Sequence, residues 1–431
     1  MLKKLDLRAS SDDYLSLLPR PKITKELPVD AVRGIIARVR HGGDQALLEL
    51  TAEFDKVRIE SVVVGNEDLE FAFNRISTDL RNALEVAAKA ITEYHQLELA
   101  PDITYISNGL RVSQKTVPVD VAGCYVPGGK ARYPSSVLMT AIPAKVAGVK
   151  TVVLCVPPGV NGKVDDATLA AAYIAGVNHL YCVGGAQAIA AMAYGTESIP
   201  KVDVIVGPGN IYVSVAKREV AQDVGVPSSF AGPSEVVVIA DSTTPTNWAA
   251  VDVVVQAEHG PDGLAWLISW DEDVVDEVIA NVDGIVKASP RRAEIEATLS
   301  EGGYAVLVRD KIQAIEVANA IAPEHLEILC DFAGELSTMV RNAGAVFLGR
   351  YSPASLGDYV AGPSHVLPTY GSARFASALR VGDFVKHVHY VEATQEAIDI
   401  LAPHVGAISK AEGLTAHEMS VNIRRSNAQR A

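Results

Sequence analysis

The sequence predicts an α/β protein with two consecutive Rossmann-like, doubly wound domains and helical extensions at both termini. Short runs rich in β-branched residues alternate with helical patterns, and such an alternation produces right-handed βαβ units around a mostly parallel sheet. This alternation occurs twice along the chain. Helical patterns without such runs precede the first series and follow the second.

The predicted boundaries follow these changes of pattern. A helical N-terminal region covers 1–100, and the first α/β domain covers 101–230. The second α/β domain covers 231–376, and a helical tail covers 377–431. The tail has about fifty residues, too few for a core of its own, so we expect it to pack on another surface.

In the N-terminal region, apolar residues at helical spacing occur in "DAVRGIIARVR" and "DQALLELTAEF", with an interruption at Gly42 and Gly43. A longer helical pattern continues from Glu67 to about Leu99. The first α/β series then contains three strand-like runs, "TVVLCV" (151–156), "LYCV" (180–183) and "VDVIV" (202–206), each followed by a helical pattern.

The second series repeats the same alternation. Its strand-like runs are "EVVVIA" (235–240), "LAWLIS" (264–269), "YAVLV" (304–308), "LEILC" (326–330) and "GAVFLG" (344–349). Helical patterns such as "DVVDEVIANV" and "QAIEVANAI" separate several of them.

Composition narrows the function classes. The 431 residues are 48% hydrophobic and 21% charged, as in a globular protein, and the net charge of −14 argues against nucleic acid as a partner. The four cysteines show no zinc-binding spacing, and Cys155 and Cys182 fall in runs expected to be buried strands. Because we find no signal sequence and no apolar run of ~18 residues, we expect a cytoplasmic protein without membrane spans.

Three loops rich in glycine, proline and polar residues are candidates for nucleotide binding. "YVPGGKARYPSS" (125–136), "VGGAQ" (183–187) and "VGPGN" (206–210) follow strand-like runs, where open α/β sheets bind ligands. Asn210 would cap the next helix and orient its N–H groups toward a ligand. None of the loops contains GxGxxG, and each is also compatible with an ordinary tight turn. A fourth loop, "AGPSE" (231–235), precedes a strand.

A possible metal site begins with "VVVQAEHGPDG". A helix predicted from Trp248 to Glu258 ends before Gly260, and Gln256 and His259 are three residues apart, on one helix face. They could therefore point at one ligand. The alternative is that Gln256 is solvated and His259 caps the last carbonyl groups.

Further candidate ligands are Asp358, in a predicted loop that also holds His365, and His417 near the C-terminus. Oxygen donors combined with imidazoles suit a divalent transition metal, above all Zn²⁺, with tolerance for Mn²⁺ or Co²⁺. Alternatively, Asp358 is a turn former and His417 is a surface residue of a helix.

The stretch "APEHLEI" places a carboxylate beside an imidazole. Pro323 ends the preceding helix, so we expect irregular backbone at Glu324 and His325, which would let both side chains reach one substrate. Such a pair supplies two bases of different strength. The alternative is a purely structural turn.

Taken together, these motifs resemble those of the L-histidinol dehydrogenase family, which acts in the last step of histidine biosynthesis. The resemblance covers nearly the whole chain and is weakest in the first hundred residues and between about 275 and 300. Many relatives have Asn where this chain has Ser364, a minor departure. The motifs on which the resemblance rests are "YVPGG", "PSSVLM", "VGGAQAIAAMAYGT", "VGPGN", "AGPSEV", "QAEHGPD", "PEHLEI", "GDYVAGPSHVLPT" and "EGLTAH".

The resemblance implies a role for each matching residue. It implies general bases at Glu324 and His325 and NAD⁺ contacts at Tyr125, Gln187 and Asn210. It implies one Zn²⁺ per subunit, held by Gln256, His259, Asp358 and His417. The implied substrate-binding residues are Ser234, Gln256, His259, His325, Asp358, Glu412 and His417, with His365 nearby.

The implied reaction is the four-electron oxidation of L-histidinol to L-histidine, through bound L-histidinaldehyde, with two NAD⁺. The family is a homodimer with shared active sites, which fits a tail without its own core. One alternative is an NAD-dependent dehydrogenase of another polar primary alcohol, such as a sulfonated diol. Another is a zinc hydrolase or a non-catalytic metal-binding protein.

Overall fold

The structure is a computed structural model that describes residues 2–10, 13–19, 27–128, 132–228, 234–260 and 263–426, without the side chain of His259. The chain forms two compact units. The first comprises Met1–Leu97 and Asp120–Phe384, and the second comprises Glu98–Val119 and Val385–Ala431.

The described residues form fourteen strands, three short 3₁₀ helices and sixteen α-helices. The strands are β1 Lys3–Asp6, β2 Val63–Val64, β3 Ile103–Ser107, β4 Leu110–Pro118, β5 Val121–Tyr125, β6 Thr151–Val156, β7 His179–Cys182, β8 Val204–Val206, β9 Glu235–Ile239, β10 Leu264–Ser269, β11 Gly303–Leu307, β12 His325–Ile328, β13 Ala345–Leu348 and β14 Val385–Ala393. The 3₁₀ helices are Gln256–His259, Ser372–Arg374 and Val381–Phe384.

The α-helices are α1 Tyr14–Leu17, α2 Val29–Phe54, α3 Asn66–Arg75, α4 Thr78–Gln96, α5 Pro134–Val146, α6 Asp166–Ile174, α7 Gly185–Tyr194, α8 Ile211–Val220, α9 Thr246–Val255, α10 Glu272–Ala288, α11 Arg292–Gly302, α12 Lys311–Ile321, α13 Ala333–Ser337, α14 Ala354–Tyr359, α15 Gln395–Ala411 and α16 Thr415–Asn422. Among the described residues, no helix is both long and apolar enough to cross a membrane.

The first sheet has the strand order β2-β7-β6-β5-β8. Strands β5 to β8 are parallel, and β2 adds an antiparallel edge. Because the chain moves outward from β5 through β6 to β7 and then returns to the other side at β8, the order reverses beside β5. This reversal is the switch point at which doubly wound sheets bind nucleotides, beyond the carboxyl ends of the strands.

The second sheet has the order β1-β11-β10-β9-β12-β13, and all its strands are parallel. Side chains of β9 alternate between two cores. Val236 and Val238 join the core that includes α9 and α10 residues, whereas Val237 and Ile239 join the core that includes α12 residues. Helices therefore cover both faces, and the α/β class with successive doubly wound parallel sheets is confirmed.

Two strands that the sequence did not predict lie in the mainly helical N-terminal region. Strand β1 pairs with β11 of the second sheet, and β2 pairs with β7 of the first. The predicted interruption near Gly42 and Gly43 appears as a kink inside α2, where Gly43 has a φ of 51°. Glycine tolerates this left-handed conformation because it has no Cβ.

The second unit is a three-stranded antiparallel sheet, β14-β4-β3, together with α15 and α16. The segment after Ser377 is therefore not wholly helical, because the nine residues of β14 pair along β4. Most side chains of β14 are exposed. Its sequence therefore lacks the strong apolar alternation that marks a half-buried strand.

Candidate active site

The carboxyl edge of the first sheet holds the residues predicted to contact NAD⁺. Tyr125 ends β5, is 3% exposed, and accepts a hydrogen bond at its hydroxyl from the Gly185 amide at 3.1 Å. Burial raises the pKa of Tyr125 to about 12. Gly207 follows β8 with a φ of 106°, and a Cβ there would lie 2.0 Å from the Tyr125 carbonyl oxygen. The two strands at the switch point thus approach each other more closely than a larger residue would permit.

Gln187 and Asn210 lie at the start of the helices that follow β7 and β8. Gln187 is 2% exposed, in the first turn of α7. Asn210 caps α8, and its side-chain oxygen accepts hydrogen bonds from the amides of Tyr212 and Val213 at 3.0 and 3.2 Å. The predicted cap is confirmed, and the positive end of the α8 dipole lies at this edge.

A buried cation, Lys217, supports the same edge and was not predicted from the sequence. Its ammonium donates to the carbonyl of Gly207 and, at 3.4 Å, to that of Ser228. Burial lowers the pKa of Lys217 to about 8. Because it lies inside an ordinary amphipathic helix pattern, nothing local distinguishes it from a surface lysine.

The predicted bases lie at the amino edge of the second sheet, not at a carboxyl edge. His325 is also not in irregular backbone. It is the first residue of β12 and is paired with Val236 and Ala345 of the flanking strands. The chain leaves α12 through Ala322, whose φ of 54° is unusual for a residue with a Cβ. This turn brings Glu324 to the sheet edge directly before the strand.

His325 is 3% exposed, and each of its two ring nitrogens lies close to an oxygen atom of a neighbouring residue. Nδ1 is 3.0 Å from the Glu235 carbonyl oxygen and 3.6 Å from Glu324 Oε2, and Nε2 is 3.3 Å from Asp358 Oδ1. Burial opposes the charged imidazolium, but the two carboxylates outweigh it and raise the pKa of His325 to about 9. Since a carbonyl can only accept, Nδ1 carries a proton, and Nε2 is the nitrogen that exchanges one.

Glu324 is 7% exposed, and its Oε2 accepts a hydrogen bond from the Glu235 amide at 2.9 Å. Burial raises the pKa of Glu324 to about 7, despite the opposing effect of His325. A carboxyl group with such a pKa exchanges protons near neutral pH. Glu235, which the sequence did not indicate, therefore orients both bases through its backbone, and Ser234 lies directly before it.

Asp358 lies in the short helix α14 rather than in a loop. Its Oδ2 is 3.3 Å from the Gln256 side-chain nitrogen. The Gln256 side chain is 3% exposed, so the alternative that it is solvated does not hold. Rotating the side-chain amide of Gln256 by 180° would exchange its nitrogen and oxygen, so that the oxygen would lie next to Asp358. The two orientations have nearly the same shape and are distinguished only by their hydrogen bonds.

His365 belongs to the same cluster. Its Nδ1 lies 2.8 Å from the Asp358 carbonyl oxygen, and its Nε2 lies 3.0 Å from the hydroxyl of Ser136 on α5. Ser136 is 3% exposed and comes from the first α/β series. The distance between Ser136 and His365 along the sequence is too large for any local pattern to predict their contact.

Three predicted site residues remain, namely His259, Glu412 and His417. Gln256 and His259 begin and end one 3₁₀ helix, in which residues three apart share a face, but the His259 side chain lies outside the described part. Glu412 and His417 are exposed residues of the second unit. Among the side chains that are described, no three His, Cys, Asp or Glu lie together as a metal site.

The family model described as "Histidinol dehydrogenase" matches residues 18–425. A histidinol dehydrogenase of Gluconobacter oxydans is 43% identical, over 98% of this chain and 99% of its own length. One of Pseudomonas fluorescens is 46% identical, over 97% and 96%. The crystal structure of histidinol dehydrogenase from Elizabethkingia anophelis superposes with a TM-score of 0.94 at 32% identity, covering 98% of both chains.

Proposed function

The chain belongs to the histidinol dehydrogenase family and is therefore an oxidoreductase, and from this premise we propose that it oxidises L-histidinol to L-histidine with two NAD⁺ and one water. The observation that carries the proposal is the buried pair Glu324 and His325 beside Asp358. A two-step oxidation needs a base for the alcohol and a base for water, and this pair supplies both.

A divalent metal fits the donor chemistry of this cluster. Asp358 and Gln256 offer a carboxylate and an amide oxygen next to each other in a mostly buried place. We assign one Zn²⁺ per subunit to Gln256, His259, Asp358 and His417, a set with two oxygens and two imidazole nitrogens. When bound, Zn²⁺ has no redox role and orients the substrate as a Lewis acid, while NAD⁺ accepts hydride.

The protein's own residues carry the proton transfers. In the first step, the neutral form of His325, whose share grows as the pH rises toward its pKa of about 9, accepts the proton of the substrate hydroxyl at Nε2 as the carbon loses hydride. The aldehyde remains bound, and Glu324 removes a proton from water as the water attacks it. His325 releases the first proton to solvent before it accepts a second one from the hydrate during the second hydride transfer, and Glu324 also returns its proton to solvent. Ser234, Glu412 and His365 complete the substrate pocket in this assignment.

For the cofactor, we assign Tyr125, Gln187 and Asn210 to NAD⁺ binding. Their position at the switch point of the first sheet supports this assignment, because open α/β sheets bind nucleotides there. The N-terminus of α8 would face the pyrophosphate, whose negative charge is stabilised by the helix dipole. Lys217 would hold the preceding loop in place.

The proposed stoichiometry gives a direct test. With limiting L-histidinol and excess NAD⁺, we expect two NADH for each substrate molecule, measured by absorbance, and L-histidine as the product. One NADH with free aldehyde in solution would contradict the four-electron reaction. A polar primary alcohol such as a sulfonated diol serves as the comparison substrate, and faster turnover of the diol would favour that second dehydrogenase activity.

Removal of the metal is expected to abolish turnover while the fold remains. After treatment with a chelator, activity should fall by at least about 100-fold, because the substrate is no longer oriented. The far-UV circular dichroism should not change, since the ligands lie at the edge of cores built from sheets and helices. Activity should return with Zn²⁺ and also with Mn²⁺ or Co²⁺. A chelator saturated with Zn²⁺ beforehand is the control, and full activity in protein shown to be metal-free by elemental analysis would refute the assignment.

A further inference from the structure

Three elements that carry the proposed site also meet in a second layer beneath it. In the site, α9 leads into Gln256, β12 begins with His325, and α14 carries Asp358. In the layer below, the carboxyl groups of Asp252 and Glu327 lie side by side, and the amide of Ala354 faces Glu327.

The spacing between the two layers is the natural repeat of each element. Asp252 precedes Gln256 by one helical turn, and Ala354 precedes Asp358 by one turn, so each pair shares a helix face. Glu327 follows His325 by two residues in β12 and therefore lies on the same face of the sheet. The lower layer thus contacts all three elements one repeat away from the residues of the site.

The burial of this pair requires a proton. Glu327 is 0% exposed and Asp252 is 8% exposed. Neither oxygen of Glu327 has a well-aligned donor among the described residues, and two ionised carboxylates have no proton to share. A buried, unpaired carboxylate is strongly destabilised, so a proton held between the two groups is what makes the contact attractive.

Among the described residues, the cation that acts on Glu327 is His325, which already lies beside the carboxylates of Glu324 and Asp358. On the flanking strands, Val238 and Phe347 lie opposite Glu327 and are uncharged. The titratable groups above it are Glu324 and His325 from the edge of β12 and Asp358 from α14. Burial and the neighbouring Asp252 raise the pKa of Glu327 to about 9, and burial raises that of Asp252.

We propose that Asp252 and Glu327 are positioning residues that share one proton and hold α9, β12 and α14 together, so that Gln256, His325 and Asp358 converge. This inference rests on the proposed function, because its purpose is the placement of those three side chains. Neither residue contacts the reacting atoms.

A pH dependence of stability follows from the shared proton. A carboxyl group with a raised pKa in the folded state contributes fully to stability at pH values below its unfolded pKa of about 4.3. This contribution is lost as the pH rises toward about 9. Glu327→Gln keeps a donor and an acceptor but cannot ionise, so its melting temperature relative to the wild type should increase between pH 5 and pH 9.

The kinetic test uses three variants of the full-length enzyme. Glu327→Gln and Asp252→Asn should keep kcat within about threefold of the wild type at pH 7, because an amide can replace a protonated acid in the contact. Glu327→Leu should lower kcat by about 10- to 100-fold with little change in the KM for NAD⁺, since site residues shift while the first sheet does not.

Val253→Ala, a buried change on α9 outside the acid pair, is the control for general destabilisation. It should lower the melting temperature and leave kcat unchanged. Loss of kcat in Glu327→Gln equal to that in Glu327→Leu would overturn the proposal, as would a melting-temperature difference that does not vary with pH. Absence of histidinol oxidation by the wild type would instead refute the proposed function, whereas the melting data would still test the shared proton.

Discussion

Replacing His325 with glutamine is expected to slow both oxidation steps by about 10²- to 10⁴-fold, the usual contribution of a general base. Glutamine can still donate to the Glu235 carbonyl, but it cannot accept a proton at the position of Nε2. Because both hydride transfers use this acceptor in the proposed mechanism, the oxidation of L-histidinol and that of supplied L-histidinaldehyde should decline together.

Glu324→Gln should separate the two steps. The amide can replace one contact of the carboxylate but cannot take a proton from water, so the oxidation of the aldehyde should slow by about 10²-fold or more. Removal of hydride from the alcohol should change far less. Single-turnover measurements of NADH, started with either substrate, distinguish the two steps.

Glu335→Gln is the matched control for this experiment. Glu335 makes an exposed ion pair with Lys311 at 2.9 Å, and such surface pairs contribute little. Its kinetics should equal those of the wild type. If Glu324→Gln slows both steps to the same extent, the proposed division of labour between the two bases is wrong.

The second large effect concerns which subunit of a dimer supplies His417 to each active site. This residue lies on α16 in the second unit, whereas Gln256 and Asp358 belong to the first. We propose a homodimer in which His417 completes the active site of the partner subunit. Four ligands must converge at about 2 Å from one ion, so His259→Ala and His417→Ala should each inactivate the homodimer.

Co-expression of the two variants should restore activity to about a quarter of the wild type, because half the dimers are mixed and one of their two sites is intact. If His417 serves its own subunit, every site retains one defect and no activity returns. Mixed dimers must be demonstrated by mass spectrometry. His404→Ala, an exposed histidine in the same unit, is the control and should be fully active alone.

Several expectations about the site could be derived from local sequence because the signal is local. The cap at Asn210 depends on a side chain and the two amides that follow it. The end of the 3₁₀ helix Gln256–His259 at Gly260 and the break at Pro323 depend on backbone restrictions of single residues. The resemblance of whole motifs to a known family implied roles for residues such as Asp358 and His417, whose spacing in the sequence does not connect them.

Other features required contacts between distant segments. His325 was expected in irregular backbone, yet hydrogen bonds from two flanking strands make it part of β12. Glu235 acts through its backbone, and a backbone role leaves no trace in residue type. Ser136 meets His365 across 229 positions of the chain.

By itself, the sequence determined that this is an α/β protein with two successive doubly wound sheets, because the periodicity of strands and helices is a property of neighbouring residues. It also determined which polar side chains were available for chemistry. Only the tertiary structure decided that Glu324 and His325 lie at the amino edge of the second sheet and that β1 and β14 pair with distant strands. The pairing of strands depends on which segments meet in space, and so does the sheet edge at which a side chain lies. Hydrogen bonds between segments that are far apart in the sequence cannot be predicted from the pattern of neighbouring residues.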